Sequence, residues 1–202
     1  MMKILIIPTI REIYKNQFEF SVDIRLINFL KKIFKNSSIK IYNSHTKDDY
    51  QLVVLAGGNN SIFKNNADRL RNKINNYIYR FSLKKNKPIL GICHGAHYLA
   101  QKNDFKIAKK SGHVGNHKVV FKIDEISFKK IVNSYHMEII KFKNNENINV
   151  FGLAEDKSIE AFHIKKKKIL GIVWHPERYN KIKYFDLNLI RKFYATNSII
   201  SR

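Results

Sequence analysis

The stretch that most constrains the fold is Lys87-Pro88-Ile89-Leu90-Gly91-Ile92-Cys93-His94-Gly95-Ala96-His97-Tyr98-Leu99-Ala100. Its first half predicts a short buried strand: Ile89, Leu90 and Ile92 form an apolar run, and Pro88 marks its start. Its second half predicts a helix through Tyr98, Leu99 and Ala100. Between them stands the only cysteine in 202 residues, with Gly91 two places before it and Gly95 two places after. Small residues there permit a sharp strand-to-helix turn that presents a nucleophile at the C-terminal end of the strand. A thiol so placed faces a helix N-terminus, whose partial positive charge favours thiolate. A structural cysteine buried between two packing glycines uses the same residues, so the elbow alone leaves both readings open.

Around it the chain alternates strands and helices. Lys3 to Ile7 is apolar throughout and predicts a central strand, which Pro8 ends. Residues 9 to 19 read as a loop with charged and aromatic members. Val22, Leu26, Phe29, Leu30 and Ile33 make a helical stripe within Phe20 to Phe34, and Ser37-Ser38 breaks it. Ile39 to Tyr42 and Gln51 to Leu55 predict two more strands. The glycine-rich turn Ala56-Gly57-Gly58-Asn59-Asn60 follows. It can turn backbone N–H groups toward an anion, or be an ordinary turn. A helix is expected over Ala67 to Leu83. This alternation implies a mostly parallel sheet with helices on both faces. After residue 105 short strand-like runs take over: His117–Ile123, Glu138–Phe142, Asn149–Leu153, Ile159–Ile164 and Lys168–Trp174. That half is expected to be more antiparallel, with hairpins, before a last helix over Tyr184 to Tyr194. The length suits a single domain over residues 1–202.

The net charge is +22. The lysines are scattered, and the densest run, Lys165 to Lys168, reads as a solvated hairpin turn. No basic helix face carries interleaved aromatics, so the charge points away from nucleic acid. It suits a small anionic substrate, which a positive field steers into a cleft. No apolar stretch approaches the ~18 residues of a membrane span. Ile4 to Ile7 is too short for the core of a secretion signal. One cysteine excludes an internal disulfide and suits a reducing cytoplasm. No cofactor and no metal are called for, and the oligomeric state is open.

A cysteine nucleophile needs a base, and the base needs an orienting group. His175-Pro176-Glu177 offers both at the end of a second buried run, Ile169 to Trp174. Pro176 keeps His175 out of the helical region. Alternate residues of an extended segment point the same way, so Glu177 is expected to hold one imidazole nitrogen while the other faces Cys93. Both Cys93 and His175 then sit at C-terminal ends of strands, where open α/β sheets place their sites.

Gly57-Gly58, the Cys93 elbow and His175-Pro176-Glu177, in that order, resemble the class I glutamine amidotransferase-like hydrolases, and within them the γ-glutamyl hydrolase branch. Asn133-Ser134-Tyr135-His136 and Ala154-Glu155-Asp156 through Ile159-Glu160-Ala161 are weaker family-like segments. The resemblance covers nearly the whole chain. It implies a flavodoxin-like three-layer sandwich, with a mostly parallel central sheet and an extra antiparallel part. It also implies hydrolysis of a γ-glutamyl amide through a thioester on Cys93, with His175 moving the proton and Glu177 holding His175. The backbone N–H groups of Gly58 and His94 would form the oxyanion hole. Gly57, Ser134, Tyr135 and His136 would line the glutamyl pocket. Ala56 replaces the usual proline, and His97 stands where these amidotransferases carry a substrate-binding glutamine. His97 therefore points away from free glutamine as the natural substrate; a substituted γ-glutamyl group with a nucleotide-linked leaving group is what the overall likeness, the length and a charge suited to a pyrophosphate imply. Arg11, Lys15 and Arg178, next to the site in this topology, are expected to hold its anionic part. A glutaminase subunit feeding a synthase, a γ-glutamyl-amine hydrolase and an inactive binding protein are the competing readings.

Overall fold

The computed structural model describes residues 1–43, 46, 49–58, 66–141 and 147–199. In chain order its elements are β1 (Met2–Ile7), β2 (Thr9–Tyr14), β3 (Gln17–Ser21), α1 (Ile24–Ile33), β4 (Ser37–Ile41) and β5 (Leu52–Leu55). Then come α2 (Asn66–Lys84), β6 (Ile89–Ile92), α3 (His94–Gln101), β7 (Lys106–Lys109), β8 (Val114–Ile123) and β9 (Ile126–Tyr135). The chain closes with β10 (Glu138–Lys141), β11 (Asn149–Ala154), β12 (Ile159–Ile164), β13 (Ile169–Ile172) and α4 (Tyr184–Thr196).

The main sheet runs β4-β1-β5-β6-β13-β12-β11-β8-β9, with β10 pairing β12 and β7. Its first five strands are parallel, in the flavodoxin-like order. From β12 onward the pairing is antiparallel. Residues of β1 alternate between two cores, as a pleated strand buried on both faces must. Ile4 and Ile6 pack with Phe29 and Leu30 of α1 and Ile190 and Phe193 of α4. Leu5 and Ile7 pack with Ile78 of α2 and Leu99 of α3. The result is the expected three-layer sandwich with an antiparallel extension. Among the described residues no helix is long and apolar enough to cross a membrane.

Three local expectations change. Residues 9–21 form a hairpin, β2 paired with β3, where a loop was expected. Most of its side chains are exposed on both faces, so the short alternation Gln17-Phe18-Glu19-Phe20-Ser21 has no buried run beside it to mark a strand. Helix α1 starts at Ile24 rather than near Phe20, because Asp23 caps it by accepting a hydrogen bond from the Arg25 N–H at 2.9 Å. Strands β7 and β9 were not foreseen; β9 is lysine-bearing and largely exposed. Asn59, Asn60 and Phe142 lie outside the described residues.

Candidate active site

Cys93 directly follows β6 and stands at the N-cap of α3 with φ 48 and ψ −106. A positive φ costs energy for any residue with a Cβ, and such strain concentrates at functional turns. The thiol is buried and free. The Cys93 N–H donates to the Ile172 carbonyl at 2.9 Å, tying the elbow to β13, the strand that leads to His175.

His175 and Glu177 meet: Nδ1 lies 2.6 Å from Glu177 Oε1, and both side chains are buried. The segment is not extended as expected. Pro176–Arg178 is a 3₁₀ turn, and the pairing arises because the turn folds Glu177 back toward the ring. His175 itself keeps non-helical backbone angles, as the following proline requires. The amide of Asn133 clamps the His175 backbone, accepting from its N–H at 2.9 Å and donating to its carbonyl at 2.8 Å. Nε2, on the free edge of the ring, has no partner at hydrogen-bond geometry, although Cys93 acts on the ring within interaction range. Burial works to lower the imidazole pKa. The charge and side chain of Cys93, together with Glu177, outweigh burial and raise it to about 9. His175 therefore stays protonated at neutral pH beside the thiol.

The glycine pair is shaped by its neighbours. A Cβ on Gly57 would fall 2.4 Å from Cε1 of His175, so only glycine lets the ring lie against this loop. A Cβ on Gly58 would fall 2.5 Å from a guanidinium nitrogen of Arg71. Arg71, on α2, is fully buried and donates to the carbonyls of Ala56 at 2.5 Å and Gly57 at 3.2 Å. Burial pulls its pKa down to about 10, opposed by Asp68 and Cys93, which leaves it charged at neutral pH. With its carbonyls held by Arg71, the loop's orientation is set from behind. Arg71→Met is expected to lower kcat/KM by about 100-fold, the scale of an ångström's misplacement at a reacting centre. Arg71→Lys should recover part of it; if both variants turn over normally, the loop does not depend on this contact. Nothing in the sequence of α2 separates Arg71 from its solvated neighbours, and nothing marks Asn133 as a clamp beyond its place in a family-like segment.

The other expected site residues divide. His94 opens α3, so its N–H belongs to the helix's first turn, where donors lack intrahelical partners. Its imidazole is buried, and burial first, then the nearby charges of Arg71 and His97, drives its pKa well below the usual value. The Tyr135 ring lies edge-on to His175 at 5.5 Å, and the Arg178 guanidinium stacks over Tyr135 at 5.0 Å. The His97 and His136 rings are engaged by backbone carbonyls. His97 places its two ring nitrogens 2.9 Å from the carbonyls of Cys93 and Glu138, and His136 Nδ1 lies 2.7 Å from the same Glu138 carbonyl. Ser134 is buried, its hydroxyl donating to the His113 carbonyl. Beside Gly57-Gly58, a cleft of about 640 Å³ is lined by three arginines, Arg11, Arg25 and Arg178, and three carboxylates, Glu12, Asp23 and Glu177, among others. Arg25 there is paired with Asp23 at 2.8 Å. Lys15 sits in the exposed hairpin turn, outside that lining.

Comparison with known proteins fits this geometry. The chain is 32% identical over 174 residues to the γ-glutamyl-CDP-amidate hydrolase of Campylobacter jejuni, covering 83% of this chain and 84% of that protein. It is 25% identical over 148 residues to the glutamine-hydrolysing GMP synthase of Petrotoga mobilis, where the match spans 70% of this chain but only 27% of the relative. A crystal structure of a glutamine amidotransferase from Thermotoga maritima superposes with a TM-score of 0.67 at 20% identity, over 87% of this chain and 76% of that one. The family model for glutamine amidotransferase class-I matches residues 14–195, nearly the full length, and the chain belongs to that family.

Proposed function

We propose that the chain hydrolyses a γ-glutamyl amide whose nitrogen is carried by a nucleotide. The specific reaction is γ-glutamyl-CDP-amidate to glutamate and cytidine diphosphoramidate, within capsular polysaccharide phosphoramidate biosynthesis in the cytoplasm. The Cys93 thiolate attacks the γ-carbonyl carbon, and the N–H groups of Gly58 and His94 stabilise the oxyanion. Collapse breaks the C–N bond as protonated His175 gives its proton to the leaving nitrogen. A water then attacks the thioester, losing its proton to His175, and releases glutamate and the free thiol. Glu177 keeps the imidazole oriented throughout. Tyr135 borders the site, with Ser134, His136 and His97 shaping the wall behind it.

One observation carries the choice of leaving group. The cleft beside Gly57-Gly58 has a volume suited to a nucleotide; its arginines, Arg11, Arg25 and Arg178, stand among Glu12, Asp23 and Glu177, and with Asp23 2.8 Å from Arg25 and 3.8 Å from Arg178, Arg11 is the cation assigned to the pyrophosphate. The name of the Campylobacter jejuni relative supports the same substrate. The GMP synthase relatives support the rival, a glutaminase feeding a synthase. The deciding comparison is kcat/KM for the γ-glutamyl nucleotide amidate against L-glutamine, with no partner protein present. Remote contacts to the nucleotide should align the carbonyl over Cys93, giving a preference on the order of 100-fold or more. In the same assay Arg11→Ala should raise KM for the amidate and leave a small γ-glutamyl amide unchanged. A ratio near one, or activity only after a synthase is added, replaces this reading with the rival.

A further inference from the structure

Behind Tyr135 lies a cluster that the proposed reaction leaves unused. His113, His117, His136 and Glu160 converge from the start of β8, from β8 itself, from the β9–β10 connection and from β12. Glu160 is fully buried, and neither of its oxygens has a hydrogen-bond partner. Around its Oε1 stand His117 Nε2 at 3.3 Å, His113 Nδ1 at 3.5 Å and His136 Nε2 at 3.7 Å. None of these nitrogens makes a hydrogen bond.

These separations have a meaning. With metal–nitrogen and metal–oxygen bonds of about 2.0–2.2 Å, the ligand atoms of a tetrahedral zinc ion stand about 3.3–3.5 Å apart. The ligand atoms of His113, His117 and Glu160 all lie within 4.8 Å of one another. The second shell is also in place. His113 Nε2 lies 3.0 Å from Asp156 Oδ2, and His136 Nδ1 lies 2.7 Å from the Glu138 carbonyl. Donating outward from those atoms leaves the opposite nitrogens with lone pairs aimed at the centre, the arrangement that orients metal-bound histidines.

We propose that His113, His117 and Glu160 form a three-residue site for a divalent transition metal of the zinc class, with His136, whose Nε2 lies 3.7 Å from Glu160 Oε1, as the candidate for the fourth position. With His136 in the fourth position its part is structural: it ties β8 and the β9–β10 connection to β12 and so fixes the segment that presents Tyr135 to His175.

The test uses untagged full-length protein, stripped with a chelator and reloaded with Co²⁺ or Zn²⁺. Wild-type protein is expected to take up about one equivalent and to show the intense visible absorption of tetrahedral Co²⁺. Zn²⁺ should raise its Tm. His117→Ala, at a partly exposed position, should weaken binding by on the order of 100-fold or more and abolish the Tm response. Glu160→Gln, which preserves side-chain shape, is the second variant and should do the same. Cys93→Ala should bind like wild type. Sub-stoichiometric uptake by wild type, unchanged binding in both ligand variants, or loss of binding in Cys93→Ala would each overturn the proposal.

Discussion

Cys93→Ala is expected to lower glutamate release by roughly four to six orders of magnitude, the scale seen when a covalent nucleophile is removed. No second thiol exists in the chain to substitute for it. Alanine keeps the Cβ and fills the buried site, so circular dichroism and Tm should stay close to wild type, and the loss is then chemical. Glutamate release within tenfold of wild type in this variant would remove the thioester from the mechanism.

The second large effect separates base from orienter. His175→Ala should cost about as much as Cys93→Ala, because the two act as one unit. Glu177→Gln should cost less, since the amide still occupies the site while its charge is gone. The pH profile distinguishes loss of orientation from simple damage. In the wild type His175 holds its proton up to about pH 9, so kcat/KM should fall along an alkaline limb near that value. Glu177 is one of the groups that raise this pKa; removing its carboxylate should move the limb to lower pH. The sign carries over to stability. Folded His175 titrates above the ordinary histidine value, so its contribution is complete below about 6.5 and is lost as pH rises through 9. A limb that stays at its wild-type position in Glu177→Gln shows that Glu177 does not govern the base.

The parallel half of the fold is legible in the sequence because its strands are buried on both faces and read as unbroken apolar runs. Ile89 to Ile92, bounded by Pro88, is the clearest case. The hairpin of β2 and β3 is only half legible: Phe18 and Phe20 alternate with polar neighbours in β3, whereas β2 shows no such period and both strands are largely exposed. The elbow cysteine and the His-Pro-Glu ending stand out because their chemistry lies in residues close together in the chain. The supports around them come from distant segments. Arg71 reaches the Ala56 and Gly57 carbonyls from another element, and Asn133 reaches His175 across 42 positions. The His113, His117, His136 and Glu160 cluster is spread over four places in the chain for the same reason. Spacing along a sequence reports local geometry, and these contacts exist only once α2 has docked and the sheet from β12 through β11 and β8 to β9 has formed.

The left-handed backbone at Cys93 has an evolutionary consequence. A glycine there would relieve the turn, whereas any side chain maintains it against the preference of the backbone. On the proposed mechanism, the demand for a thiol opposes that relaxation. A lineage that abandoned the chemistry but kept the fold for another purpose would drift at this position under backbone preference alone. Such descendants, recognisable by loss of the histidine and glutamate, are expected to carry glycine at the elbow more often than alanine or serine, and a survey of their sequences reads this directly. On the proposed mechanism the cysteine is thus a marker of continuing selection for its thiol.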